Sequence, residues 1–233
     1  MLRQVIALGG GGFSMEPENP LLDRYVLAQA RRDPPRVCFV PTASGDSDGY
    51  IGRFYEHFRA YPCVTTHLSL FKPSFANLAD FVLEQDVIYV GGGNTRNLLV
   101  LWREWGLDDI LRRAWHEGIV LAGLSAGSIC WFEQGLSDSF GPGWSPITGL
   151  GIVPGSHCPH YSDEPGRRDA YQLLIAEGRL REGIAADDGV ALHYIDSELT
   201  KVVSSRPDAG AYTVRNVNGS AVEHRLQPEY LGG

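Results

Sequence analysis

Short apolar runs recur along the first half of the chain at residues 4–8, 36–40, 64–68, 86–90 and 118–122, each rich in β-branched or other apolar side chains. Between them, residues 21–31, 48–61, 75–83, 95–105 and 107–116 place apolar side chains at helical spacing. Buried strands separated by helices imply crossover connections and a largely parallel sheet covered on both faces, an α/β fold. A stretch at 137–159, rich in Gly, Pro and Ser, reads as an active-site loop. A helix is expected over 165–177, and strand-like runs at 189–194, 199–203 and 211–214 should extend the sheet edge as antiparallel strands. No composition break or repeat divides the chain, so residues 1–233 are expected to form one domain.

The fifth apolar run leads into Gly123-Leu124-Ser125-Ala126-Gly127 and then Ser128-Ile129-Cys130-Trp131-Phe132. A strand that turns sharply into a helix at a serine strains that serine's backbone and presents its hydroxyl at the strand's carboxyl end. Small residues two positions before and after leave room for the turn. The first amides of the following helix point to the same place, where they can stabilise charge on a bound carbonyl oxygen. Ser125 is therefore the candidate nucleophile. The alternative is close helix–sheet packing through small residues, which the same five-residue pattern also permits.

The net charge of −8, with both signs interspersed, argues against a nucleic-acid or anionic-membrane partner. The opening residues stop at a glycine run too short for a secretion signal, and no apolar stretch reaches membrane-spanning length, so a cytoplasmic location is expected. Cys38, Cys63, Cys130 and Cys158 stand far apart and read as reduced thiols, with Cys130 on the helix after Ser125.

Ligands of such sheets bind beyond the carboxyl ends of the strands. Gly9 to Gly12 follows the first strand, but position 14 is Ser and no acidic residue ends the second strand, so a dinucleotide site is weakly supported. No Gly-Lys-Ser/Thr phosphate loop is present. Gly91-Gly92-Gly93-Asn94-Thr95 follows the fourth strand, where glycine amides can approach a substrate oxygen beside a helix capped by Asn94 or Thr95. A serine nucleophile needs a base and an orienting acid. His157 and His160, in Ser156-His157-Cys158-Pro159-His160-Tyr161, lie in the long loop and are the candidate bases. Of the nearby acids, Glu133 is read as part of the elbow helix and facing away, whereas Asp138 lies just past its end.

Taken in order, Gly91-Gly92-Gly93-Asn94-Thr95, the elbow around Ser125 and Pro159-His160-Tyr161 resemble the peptidase E family of α-aspartyl dipeptidases, which includes cyanophycinases. The resemblance runs from the first strand through the helix after His160. It implies a flavodoxin-like three-layer αβα sandwich similar to class I glutamine amidotransferases, with serine in place of their cysteine. By this resemblance Ser125 is the nucleophile, His160 the base and Asp138 the acid. Gly92 and Ala126 supply the oxyanion-hole amides, and Asn94 joins the substrate-binding residues. Family members acting on N-terminal aspartate use an arginine downstream of the histidine, a position that Arg167 or Arg168 could fill. Cyanophycinases use a glutamate as the acid, which keeps Glu133 as the alternative.

The implied activity is serine-type hydrolysis of short peptides, as a dipeptidase with a preference for N-terminal Asp. The expected partner is a small peptide substrate, with no metal or organic cofactor and with a homodimer as a compatible assembly. Three alternatives stand beside it: a cyanophycinase-like or other amide hydrolase, a non-catalytic small-molecule-binding relative, and a metal site built from His157 and His160 with Asp163 or Cys158.

Overall fold

The computed structural model describes residues 1–233. In chain order its strands are β1 Gln4–Leu8, β2 Arg36–Val40, β3 Val64–His67, β4 Val87–Val90, β5 Val120–Leu124, β6 Phe132–Ser137, β7 Ser145–Thr148, β8 Val153–Cys158, β9 Gly183–Ala186, β10 Val190–Ile195, β11 Glu198–Ser204, β12 Ala211–Val217, β13 Ser220–Leu226 and β14 Glu229–Tyr230. The helices are α1 Gly12–Met15, α2 Leu21–Leu27, α3 Asp48–Phe58, α4 Leu78–Leu83, α5 Thr95–Trp105, α6 Leu107–His116, α7 Ala126–Ile129 and α8 Arg167–Ala176. None is long and apolar enough to cross a membrane.

The larger sheet runs β14-β11-β10-β1-β5-β4-β2-β3. From β1 to β3 all neighbours are parallel, and β10 adds to the other side of β1 in antiparallel register, Leu8 facing Ala191. The expected α/β architecture, mostly parallel with antiparallel late strands, is thus present. Alternation along the strands assigns each face its layer. Ile6, Leu8, Val37, Phe39, Val87, Tyr89, Val120 and Ala122 pack with Phe13, Leu22, Val26, Tyr50, Phe54 and Phe58 from α1, α2 and α3. The alternate residues Val5, Ala7, Cys38, Val40, Ile88, Val90 and Leu121 pack with α5 and α6. Continuous burial on β1, β4 and β5 follows from having both faces covered.

A second sheet, ordered β13-β12-β9-β8-β6-β7, joins the same core through Phe132, Ile147, Val153, Ile184 and Ala211. It changes three expectations. Residues 211–214, expected to extend the edge of the larger sheet with β10 and β11, belong to β12 and pair with β9 and β13 in this second sheet. The helix after the elbow is a single turn, because Phe132 and Gly135 pair with Val153 and His157 of β8; Glu133 lies on a strand. The 137–159 stretch also contains two strands, β7 and β8, so His157 sits in a sheet where a loop was expected.

Candidate active site

Three consecutive carbonyls at the end of β1 organise the site. Leu8 O accepts from the Ser125 amide at 3.3 Å, Gly9 O from the His160 amide at 3.2 Å, and Gly10 O from the Gly189 amide at 3.2 Å. Segments from three distant parts of the sequence are thereby fixed within one short stretch of backbone.

Ser125 joins β5 to α7 with φ 55° and ψ −117°. A side-chain-bearing residue held there carries roughly 1–3 kcal/mol of backbone strain, and it persists only where surrounding structure over-determines it. Here the Ser128 and Ile129 amides donate to Ser125 O at 2.9 and 3.0 Å, and Ser128 Oγ donates to the same oxygen at 2.7 Å. The flanking glycines are required by contact: a Cβ on Gly123 would lie 2.3 Å from Gly127 O, and one on Gly127 2.3 Å from Val90 O. Ser125 is half-buried amid fully buried neighbours, and its hydroxyl has no hydrogen-bond partner within the protein.

Gly92 stands against it. A Cβ there would come 3.3 Å from the Ser125 Cβ and 3.7 Å from its Oγ. The Gly92 amide donates to the Tyr50 phenol at 3.3 Å. The Ala126 amide opens α7 and belongs to the N–H groups that a helix start leaves without an intrahelical acceptor.

His160 adopts φ 53°, and its ring is buried. Its Nδ1 lies 2.5 Å from Asp188 Oδ1, a buried charge-assisted contact. With the proton on Nδ1 toward the carboxylate, Nε2 is left as the basic atom. The glycine run after β1 now has a reason: a Cβ on Gly10 would lie 2.0 Å from Asp188 Oδ1 and 2.9 Å from His160 Cε1. The Asp188 amide in turn donates to Asp163 Oδ2 at 2.7 Å. Burial, with Asp188 and Asp187 close by, raises the Asp163 carboxyl above its usual range.

The carboxylate on His160 is therefore Asp188, where Asp138 was expected. Asp138 is exposed past the end of β6, while its neighbours Ser137 and Ser139 bond Thr95 at the start of α5. Glu133 is committed elsewhere, accepting from the Gly155 amide at 2.8 Å and pairing with Arg181 at 3.1 Å. Asp188 was findable. β10 runs antiparallel to β1, so the turn before it, Asp187-Asp188-Gly189, must stand at the carboxyl end of β1.

The other expected site residues are mostly occupied. Asn94 caps α5, its Oδ1 accepting from the Asn97 amide at 2.8 Å while Nδ2 reaches Ser139 O at 3.4 Å. Arg167 is buried, paired with Glu164 at 2.6 Å and stacked 4.5 Å over the Trp144 ring. Arg168 pairs with Glu223 and lies over Tyr161 and Tyr212. His157 is fully buried and stacked on Phe132; Nδ1 lies 3.0 Å from Ile184 O and Nε2 3.1 Å from Ser128 Oγ. Burial lowers its pKa to about 3, so it is neutral. With both nitrogens engaged, His157 does not pair with His160 as a metal ligand.

A strained serine on a strand–helix turn, a glycine backbone against it and a histidine–aspartate pair anchored on the adjacent carbonyl of β1 lie at the carboxyl edge of an α/β sheet. The sequence model of peptidase family S51 matches residues 5–202, and the chain belongs to that family. It is 58% identical to the uncharacterized peptidase YgaJ of Bacillus subtilis (strain 168) over 231 residues, 99% of this chain and all of that protein. It is 29% identical to Peptidase E of Streptomyces coelicolor over 178 residues, covering 75% of this chain and 71% of that one. In fold it resembles a peptidase from an acI-B1 Actinobacterium, with a TM-score of 0.72, 18% identity, and 98% and 95% of the two chains covered. The protein is accordingly a peptidase with peptide substrates.

Proposed function

We propose that the chain is a serine peptidase that hydrolyses short peptides through an acyl-enzyme on Ser125. The observation that carries this reading is the strained Ser125 turn, anchored to Leu8 beside the carbonyl that anchors His160. In the proposed reaction His160 Nε2 removes the Ser125 proton as Oγ attacks the scissile carbonyl, and Asp188 holds the imidazole tautomer and stabilises the imidazolium. The Gly92 and Ala126 amides receive the oxyanion. His160 then protonates the leaving amine, the C–N bond breaks, and water repeats the sequence on the ester to release the acid and restore Ser125. The open Ser125–His160 pair is compatible with this, since catalytic hydrogen bonds often close only with substrate bound.

A cavity of about 310 Å³ lined by Asp163, Asp187, Asp188, Arg206 and Asp208 adjoins the His160–Asp188 pair. Its excess of carboxylates suits a protonated α-amino group and supports action on short peptides from the amino end. The preference for N-terminal Asp rests on resemblance alone, because Arg167 and Arg168 each have a glutamate partner.

The test is turnover of a dipeptide panel, varied at the first residue, by wild type and Ser125→Ala. Loss of at least about 10³-fold on every substrate is expected for removal of the nucleophile. Activity within about tenfold of wild type would sink the assignment.

A further inference from the structure

The Gly92 amide, in the backbone that stands against Ser125, points at a side chain. It donates to the hydroxyl of Tyr50, whose ring is buried on α3 against Phe13 and Phe39, with centroids 5.6 and 4.9 Å away. The ring is tightly seated: a Cβ on Gly91 would lie 2.9 Å from Tyr50 Cε1. A phenol oxygen can accept hydrogen bonds and donates one. Here it accepts from the Gly92 amide, with the Ser14 hydroxyl as a second polar neighbour that also stabilises the phenol oxygen as a donor to it. A buried hydroxyl that accepts from its neighbours, and so keeps its own proton for a further acceptor, is thus fixed beside the backbone that stands against Ser125.

We propose that Tyr50 is a catalytic residue, its hydroxyl donating to the same substrate carbonyl oxygen as the Gly92 amide. This rests on the serine-peptidase reading given above. In the free enzyme the phenol oxygen stands in for the substrate oxygen on Gly92 N–H. When the carbonyl oxygen takes that place, the N–H donates to it and the phenol O–H rotates about its C–O bond to do the same, and both contacts shorten as charge develops on the oxygen. The phenol keeps its proton throughout; no bond to oxygen forms or breaks at Tyr50. Burial raises the Tyr50 pKa, which keeps it a neutral donor across the working range, while hydrogen bonds from Ser14 and the Gly92 amide, and then Arg53 stacked 5.0 Å from the ring, oppose that shift. A rigid aromatic platform makes the donor preorganised, which is what gives such hydrogen bonds their catalytic worth.

Tyr50→Phe keeps the ring and removes the donor. With a dipeptide substrate, kcat should fall about 10²-fold, as for loss of one oxyanion donor, with KM changed less than about threefold. Binding of a peptide aldehyde, which places its hemiacetal oxygen in the same position, should weaken alongside. Replacing Tyr50 with 3,5-difluorotyrosine preserves shape but makes the phenol more acidic. Its kcat should then fall at alkaline pH, where wild type stays active, because a phenolate cannot donate. A kcat for Tyr50→Phe within about threefold of wild type, or a difluorotyrosine enzyme with an unshifted alkaline limb, overturns the proposal. The aldehyde separates the two levels. If Ser125→Ala binds it as tightly as wild type does, the serine reading itself has failed. If only Tyr50→Phe matches wild type, the Tyr50 proposal alone has failed.

Discussion

Ser125 and His160, 35 positions apart in sequence, donate their backbone amides to the adjacent carbonyls of Leu8 and Gly9 at the end of β1. Their relative position is therefore set by a buried central strand of the sheet. Asp188 is held in the same way, one residue from the amide bonded to Gly10. The side chains thus reach the carboxyl edge of the sheet on backbone that the core fixes, as preorganised chemistry requires.

The His160–Asp188 contact separates two carboxylates. Asp188→Asn should lower turnover by about 10²–10⁴-fold by favouring the wrong imidazole tautomer. Asp138→Asn should change it by less than about twofold, as for a solvated side chain remote from the chemistry. Steady-state rates on one dipeptide decide the matter, and the reverse order would return the acid role to Asp138.

The elbow's glycines make a stability prediction. Gly127→Ala places a methyl against the Val90 carbonyl and Gly123→Ala one against Gly127 O. Each should destabilise by about 1–3 kcal/mol through overpacking and lower activity as Ser125 shifts. Urea titrations with an unchanged midpoint would contradict the packing account.

Buried His157 makes the fold acid-sensitive. Its folded pKa of about 3 lies below the unfolded value, so between about pH 6.5 and 3 the unfolded chain binds the extra proton. Stability must fall as pH drops through that window, by up to roughly 1.4 kcal/mol per pH unit. His193, lowered to about 4 by burial and Lys201, adds in the same direction over a narrower range. In urea titrations across this window, His157→Gln should show a shallower pH slope than wild type. An equal slope would show that His157 is not responsible.

The paired arginines predict a negative result for selectivity. Arg168→Ala should leave the ratio of rates on Asp- and Asn-initiated dipeptides within about twofold of wild type, since its head group is bound to Glu223. Arg167→Ala removes a buried cation from Glu164 and Trp144, and should cost about 1–3 kcal/mol of stability. A collapse of the Asp preference in either variant would assign that arginine to the substrate.

Much of this architecture is legible in the sequence. The parallel strands read clearly because burial on both faces makes them continuous apolar runs, and α5 and α6 lie at their expected bounds. Ser125 was visible because its turn demands small residues at fixed offsets. The second sheet was not, since β6 to β9 are rich in Gly, Ser and Pro, and their identity as strands depends on long-range pairing such as Phe132 with Val153. Asp188 escaped for a related reason. An acid was sought between the nucleophile and the histidine in chain order, whereas the antiparallel return of β10 supplies one from beyond both. Tyr50 carried no local signal, because only the close packing of α3 against Gly91 brings its hydroxyl to the site.

The most direct measurement is covalent: incubation with a serine-directed fluorophosphonate, followed by intact mass and peptide mapping. One adduct per chain is predicted, on Ser125, forming at the rate activity is lost, and absent in Ser125→Ala. His160→Ala should slow labelling by about 10²-fold or more, whereas His157→Ala, if folded, should retain most of it. Inactivation without an adduct on Ser125, or full peptidase activity in a fully labelled enzyme, would contradict the acyl-enzyme account.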